Sequence, residues 1–154
     1  MPLYLVQHGK SLPKSVDSGQ PLSPEGAADV ARIASVAAGY GVRVSRILHS
    51  GKRRALETAE ILAQKLSPES GMAEAPGLKP LDDPVVWAEK ADPSGKVMLV
   101  GHLPFMEKLA AVLVTGNASR PIFRFQNGGI VCLDIYPGTE RDWVIQWALM
   151  PHVG

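Results

Sequence analysis

Apolar and polar positions along the chain alternate between the period of a strand and the period of a helix. Leu3 to Val6 is a short continuous apolar run that stops at Gln7-His8-Gly9, as a buried strand does. A polar loop follows to Leu22. Ser23-Pro24-Glu25 then has the order of a helix start: Ser as N-cap, Pro at the first helical position, an acid in the first turn. Ala27, Val30, Ala31, Ala34 and Ala38 form the expected apolar stripe, and Gly39-Tyr40-Gly41 ends it. The pattern predicts a second strand over Val44 to Leu48 and a helix through Leu66. That helix carries Ala55, Ala59, Leu62, Ala63 and Leu66 on one face and Arg53, Glu57, Glu60 and Gln64 on the other. Ser67 to Pro84 reads as mostly loop, followed by a short helix from Pro84 to Lys90. Lys96 to Val100 is the next expected strand, ending at Gly101-His102-Leu103-Pro104, with a helix after it to about Val114. Two late strands, Ile130 to Tyr136 and Trp143 to Leu149, flank a Pro137-Gly138 turn. Trp143, Ile145, Trp147 and Leu149 alternate, which puts both tryptophans on one half-buried face, in the core.

Strands alternating with helices predict an α/β fold. The expected architecture is a three-layer α/β/α sandwich with a mainly parallel sheet. The last connection is too short for a crossover, so that edge is expected to be antiparallel. The length of 154 residues suits one domain spanning 1–154, and 45% hydrophobic residues exclude a disordered chain. A net charge of +1 argues against a nucleic-acid partner held by its phosphates. The lone Cys132 excludes an internal disulfide and a Cys-rich zinc site, and reads as a small buried apolar residue. No apolar run reaches membrane-spanning length, and the first residues lack a secretory leader, so a cytoplasmic location is expected, with no membrane partner.

Ligands of open parallel sheets bind beyond the carboxyl ends of the strands. Three such ends here carry Gln7-His8-Gly9-Lys10, His49-Ser50 followed by Lys52-Arg53-Arg54, and Gly101-His102-Leu103-Pro104. Two imidazoles, several cations and two helix N-termini would meet on one rim, a site suited to phosphate. No Walker loop and no HExxH motif is present, so neither a nucleoside-triphosphate engine nor a metal is expected.

Gln7-His8-Gly9 resembles the Arg-His-Gly signature of the histidine phosphatase (phosphoglycerate mutase-like) superfamily. His49-Ser50-Gly51-Lys52-Arg53-Arg54-Ala55-Leu56-Glu57-Thr58-Ala59 resembles that family's Ser-Pro-x-x-Arg-Ala-x-x-Thr helix start. Gly101-His102-Leu103-Pro104 resembles its second histidine motif, and Pro21-Leu22-Ser23-Pro24-Glu25-Gly26 its helix entry. The short length and the His-Leu-Pro tripeptide are most similar to the SixA-type phosphohistidine phosphatases. The resemblance implies a phosphoglycerate mutase-like fold and a phosphatase without cofactor or metal. It implies that His8 attacks phosphorus and that Arg54 and His102 neutralise the phosphoryl oxygens. Gln7, Gly9 and Leu103 then complete the phosphate pocket, with Gly9 giving the backbone room at the phosphate.

Two positions depart from the pattern. Gln7 stands where the family has a bidentate arginine, and a neutral amide makes a weaker hydrogen bond to phosphate. Gly51 stands where the family has proline, expected to matter only locally. Arg53 falls on the polar helix face with Glu57 four residues on, which favours Arg54 as the phosphate ligand. His49 is expected to be structural, His152 and Lys10 solvated. Asp82 is the candidate proton donor, whereas Asp83 before Pro84 reads as a helix cap. The Leu66–Lys96 stretch builds little lid, so the expected substrate is a phosphohistidine-bearing protein. The alternatives are a small-molecule phosphomonoesterase of the same superfamily and, because of Gln7, a weakly active or non-catalytic phosphate-binding module. A metal-dependent hydrolase built on His8 and His102 is disfavoured, and the oligomeric state stays open.

Overall fold

A computed structural model describes residues 2–153. Its strands are β1 (Leu3–Gln7), β2 (Arg46–His49), β3 (Met72–Glu74), β4 (Val97–Gly101), β5 (Ile130–Ile135) and β6 (Trp143–Leu149). Its α-helices are α1 (Pro24–Gly39), α2 (Arg53–Leu66), α3 (Pro84–Lys90) and α4 (Phe105–Thr115), with one 3-10 turn at Pro93–Gly95. The strands form one sheet in the order β3-β2-β4-β1-β5-β6. The first four run parallel; β5 is antiparallel to β1, and β6 to β5. This is the expected mainly parallel sheet with an antiparallel edge.

Successive side chains of a strand face opposite sides of the sheet, and β1 separates them cleanly. Tyr4 and Val6 enter the layer under α1 and α2, with Ala34, Ala55, Ala59 and Leu62. Leu3 and Leu5 enter the layer under α4, with Phe105, Met106 and Leu109. Both layers are apolar and buried, and each large side chain buried there contributes roughly 1.5–3 kcal/mol. α1 starts as its sequence directs: the Ser23 Oγ accepts the Gly26 N–H at 2.9 Å, with Pro24 following. Asp83 likewise caps α3 by accepting the Val85 N–H at 3.0 Å.

Four local expectations need correction. The 67–84 loop contains β3, which pairs parallel with β2 and forms the sheet edge. β2 begins at Arg46 rather than Val44, although Val44 is buried. The buried stripe of α1 is Gly26, Asp29, Val30, Ile33, Ala34 and Ala37; Ala38 is exposed. The larger Ile33 and the paired Asp29 rotate the helix relative to an alanine stripe. Finally, a bulge between Cys132 and Leu133 shifts the β5–β6 register, with Trp147 opposite Cys132 but Ile145 opposite Leu133. The shift exchanges the faces of β6. Trp147 and Leu149 pack on the α1/α2 side, Trp143 and Ile145 on the α4 side.

Candidate active site

The strand register brings the three motifs together. Gln7 pairs with Gly101, and His49 pairs with Val100. His8, Ser50 and His102 therefore leave the sheet side by side at the carboxyl ends of β1, β2 and β4. The His8 and His102 rings lie 4.9 Å apart between centroids, tilted by 53°. His8 Nδ1 stands 2.7 Å from the Gly9 carbonyl oxygen. A carbonyl only accepts, so Nδ1 carries the hydrogen and Nε2 keeps its lone pair, the form a nucleophile needs. Burial lowers the His8 pKa to about 4, and nearby Arg54 pushes the same way. His102 is pushed down to about 3, first by burial, then by the charges of His8, Arg54 and Lys52. Both imidazoles are neutral at physiological pH.

His102 is 1% exposed. Its Nε2 lies 2.6 Å from the Ser50 Oγ, while its Nδ1 is buried without a partner. The Gln7 Oε1 is the other buried, unpartnered side-chain atom among the described residues. Arg54 sits in the first turn of α2, half-buried, and burial lowers its pKa. Thr58, one turn on, joins the two halves of the site. Its hydroxyl donates to the Arg54 carbonyl at 2.7 Å and accepts the Gly9 N–H at 2.9 Å. The contact with Gly9 has no sequence signal, because the two residues lie 49 positions apart.

Packing also demands the small size of Gly9. A Cβ there would press on Val30 Cγ2 at 2.7 Å and Leu22 Cδ2 at 3.1 Å, so the constraint comes from α1 and the entry loop. Leu103 packs its side chain into the α4 layer, leaving only its backbone for an anion. Arg53 is exposed and binds Glu57 at 3.0 Å, as its helix face predicts. Lys10 is exposed and pairs with Glu25 at 3.1 Å. His49 accepts the Gly51 N–H at 3.1 Å on Nδ1, a structural role.

Gly51 is more than a local variation. Its φ of +87° is a conformation L side chains rarely adopt, and a Cβ would collide with the Glu74 carboxylate. Glu74 thus reaches over the start of the α2 turn into a cleft of about 520 Å³ lined by Ser50, Ala75, Pro76, Gly77, Lys79 and Asp82. Asp82 stands on its wall with Oδ2 accepting the Lys79 N–H at 2.8 Å. Glu74 was not a sequence candidate, because β3 went unrecognised. His152 is exposed, as expected, and its Nε2 in addition sits 3.0 Å from the Oδ2 of buried Asp29. Glu25, Asp29 and His152 bring ligand atoms within 4.8 Å of one another, but Lys10 and Arg32 already pair with the two carboxylates.

The family model "Histidine phosphatase superfamily (branch 1)" matches residues 3–82, a span holding the Gln7–Gly9 turn and the Ser50–Arg54 segment. The chain belongs to this superfamily. An uncharacterized protein of Picosynechococcus is 30% identical over 142 residues, covering 86% of this chain and 84% of its own. Among solved structures, the protein histidine phosphatase SixA complexed with tungstate superposes with a TM-score of 0.81 at 23% identity. The match covers 98% of this chain and 97% of that one. A mycobacterial glucosyl-3-phosphoglycerate phosphatase complexed with VO3 gives 0.71 at 17% identity, over 95% and 97%. A phosphoserine phosphatase from Entamoeba histolytica gives 0.69 at 15% identity, over 96% and 95%. These likenesses establish the SixA-like, phosphoglycerate mutase-like fold. Membership of the superfamily makes the chain a phosphatase-type hydrolase. No helix among the described residues is long and apolar enough to cross a membrane.

Proposed function

We propose that this histidine phosphatase superfamily member hydrolyses protein-borne phosphohistidine through a phosphohistidine intermediate on His8, without a metal ion. The observation that most supports this is the pairing of His8 with His102 at adjoining strand ends. The Gly9 carbonyl aligns the His8 ring with Nε2 unprotonated. Nε2 attacks phosphorus, the bond to the leaving atom breaks, and water then releases phosphate from His8. Arg54 supplies fixed positive charge to the phosphoryl oxygens. The buried His102 Nδ1 lacks a protein partner and, carrying its hydrogen, suits an anion. Such preorganised groups stabilise transferring phosphoryl charge without reorganising during the reaction.

A protein substrate is favoured by what surrounds the site. Between α2 and β4 the chain builds only β3, of three residues, α3, of seven, and a 3-10 turn of three. These pieces form no helical cap. The protein histidine phosphatase SixA has the same architecture. A second reading, a small-molecule phosphomonoesterase, is favoured by the cleft beside Ser50, lined by Lys79 together with Glu74 and Asp82. Phosphate release from a phosphohistidine protein, compared with small phosphomonoesters in the presence of chelator, tests both. Rapid quench should trap phosphate on His8 in either case. Exclusive turnover of small esters would overturn the protein-substrate reading, and loss of all activity to chelator would overturn metal independence.

A further inference from the structure

The ladder between β1 and β5 ends at Val6 opposite Ile130. Beyond it, the 126–128 loop still grips the end of β1. The Gly128 N–H donates to the Gln7 carbonyl at 2.9 Å, and the Asn127 Nδ2 donates to the His8 carbonyl at 3.0 Å. The His8 carbonyl and the Gly9 N–H belong to one peptide plane. Asn127 holds the oxygen side of that plane, and Thr58 holds the nitrogen side at 2.9 Å. The following carbonyl, that of Gly9, receives the His8 Nδ1 hydrogen. Rotation of this plane would move the Gly9 carbonyl and release the ring.

The loop is fixed from its outer side by His152. The Gln126 Nε2 donates to the His152 carbonyl at 2.9 Å, and the His152 N–H donates back to the Gln126 Oε1 at 3.0 Å. The His152 ring rests on Asp29 of α1, and Arg32 binds both Asp29, at 3.1 Å, and the Pro151 carbonyl, at 2.7 Å. A continuous set of contacts therefore runs from α1 through His152 and Gln126 to the turn that carries His8.

We propose that Asn127 is a positioning residue for His8, and that His152 holds Asn127 in place. The proposal rests on the reading of His8 as nucleophile. Asn127 acts through the His8 carbonyl, by pinning the peptide that orients the ring. His8 owes its low proton affinity to burial. Its ring faces His102 and Arg54, and the His152 ring faces Asp29 and Glu25. Loosening the loop admits water to His8 and leaves those charged neighbours in place.

The test compares N127A, H152A, the conservative H152Q and the double variant N127A/H152A with the wild type. N127A should slow single-turnover phosphorylation of His8 by about threefold to tenfold, the range spanned by one neutral hydrogen bond, with vanadate affinity nearly unchanged. The acid limb of its pH–rate profile should move from about 4 toward the ordinary histidine value. H152A should move both readouts the same way by less, and H152Q should restore them. The double variant should be no slower than N127A, because His152 acts through Asn127. Wild-type phosphorylation rate and acid limb in N127A, or effects that multiply in the double variant, would overturn the proposal. So would a loss of thermal stability with neither readout changed, which marks a purely structural role. If N127A does not fold, an H152A variant with wild-type kinetics overturns it equally. If the wild type itself forms no phospho-His8, the nucleophile reading fails. NMR of the His8 ring then still decides the positioning: the Nδ1–H tautomer should persist in the wild type and be lost in N127A.

Discussion

Replacing His102 with Asn tests whether this site is built around neutral, buried imidazoles. The wild-type His102 takes up its proton only near pH 3 in the fold, against about 6.5 when unfolded. As pH falls below 6.5, the unfolded chain binds this proton and the folded one does not, so the equilibrium shifts toward unfolding. The loss accumulates down to the folded value and then stops. Each pH unit in that window removes about 1.4 kcal/mol, so by pH 4 His102 alone accounts for roughly 3 kcal/mol. His8, lowered to about 4, acts over an overlapping window in the same direction. The two effects are not independent, because a charge on His8 helps keep His102 neutral. Asn keeps a polar group facing Ser50 and removes one titration. Urea unfolding of wild type and H102N should be run at intervals from pH 7 to pH 4. The carboxylates titrate in both proteins and cancel in the difference. The wild type should lose about 2–3 kcal/mol more than H102N across the series. Parallel curves would refute the reasoning, because His102 would then not be a buried imidazole held neutral by the fold.

Three further outcomes follow from the site geometry. Arg54→Ala should weaken vanadate inhibition and phosphoryl transfer by about tenfold or more, the scale of a lost charge-assisted contact, while Arg53→Ala, an exposed partner of Glu57, should change either by less than about twofold; inhibition and single-turnover assays on both variants decide it. Gln7→Arg should tighten vanadate binding, because a bidentate cation would take the place of a buried amide whose oxygen has no partner; weaker binding by a folded variant would show that Gln7 is fitted to its own role. Gly51→Ala should destabilise the fold by about 1 kcal/mol or more, measured by urea unfolding, and part of that loss should return in Gly51→Ala/Glu74→Ala, where the colliding carboxylate is gone but the positive φ remains.

What could be read in advance was whatever chemistry lies next to a strong local signal. His8, Arg54 and His102 each follow a strand end or open a helix, so apolar runs and glycine stops were enough to place them on one rim. The caps at Ser23 and Asp83 were equally local. β3 was hidden because a three-residue strand ending in glutamate has no usable periodicity, and with it went Glu74 and its hold on the Gly51 turn. The face exchange in β6 was hidden because a bulge is a relation between two strands, and alternation within one strand is blind to it. Asp29, His152 and Asn127 were missed for the same kind of reason. Each is an ordinary polar residue until distant segments meet, and their partners lie far away in the chain.

β1 precedes the other five strands of its sheet in the chain and lies inside that sheet, with Tyr4 opposite Met98 on one side and Cys132 on the other. During synthesis it emerges with all five residues destined for burial and no strand to pair with. Its parallel neighbour arrives only after β2, β3 and three helices, and its antiparallel neighbour later still. The sheet therefore cannot form strand by strand in chain order. The chief barrier is the closure of long loops, which slows folding, and a ribosome-bound fragment ending before β4 leaves an apolar strand exposed to other chains. Stalling translation before and after β5 should change the nascent chain from one that chaperones bind to one that resists protease.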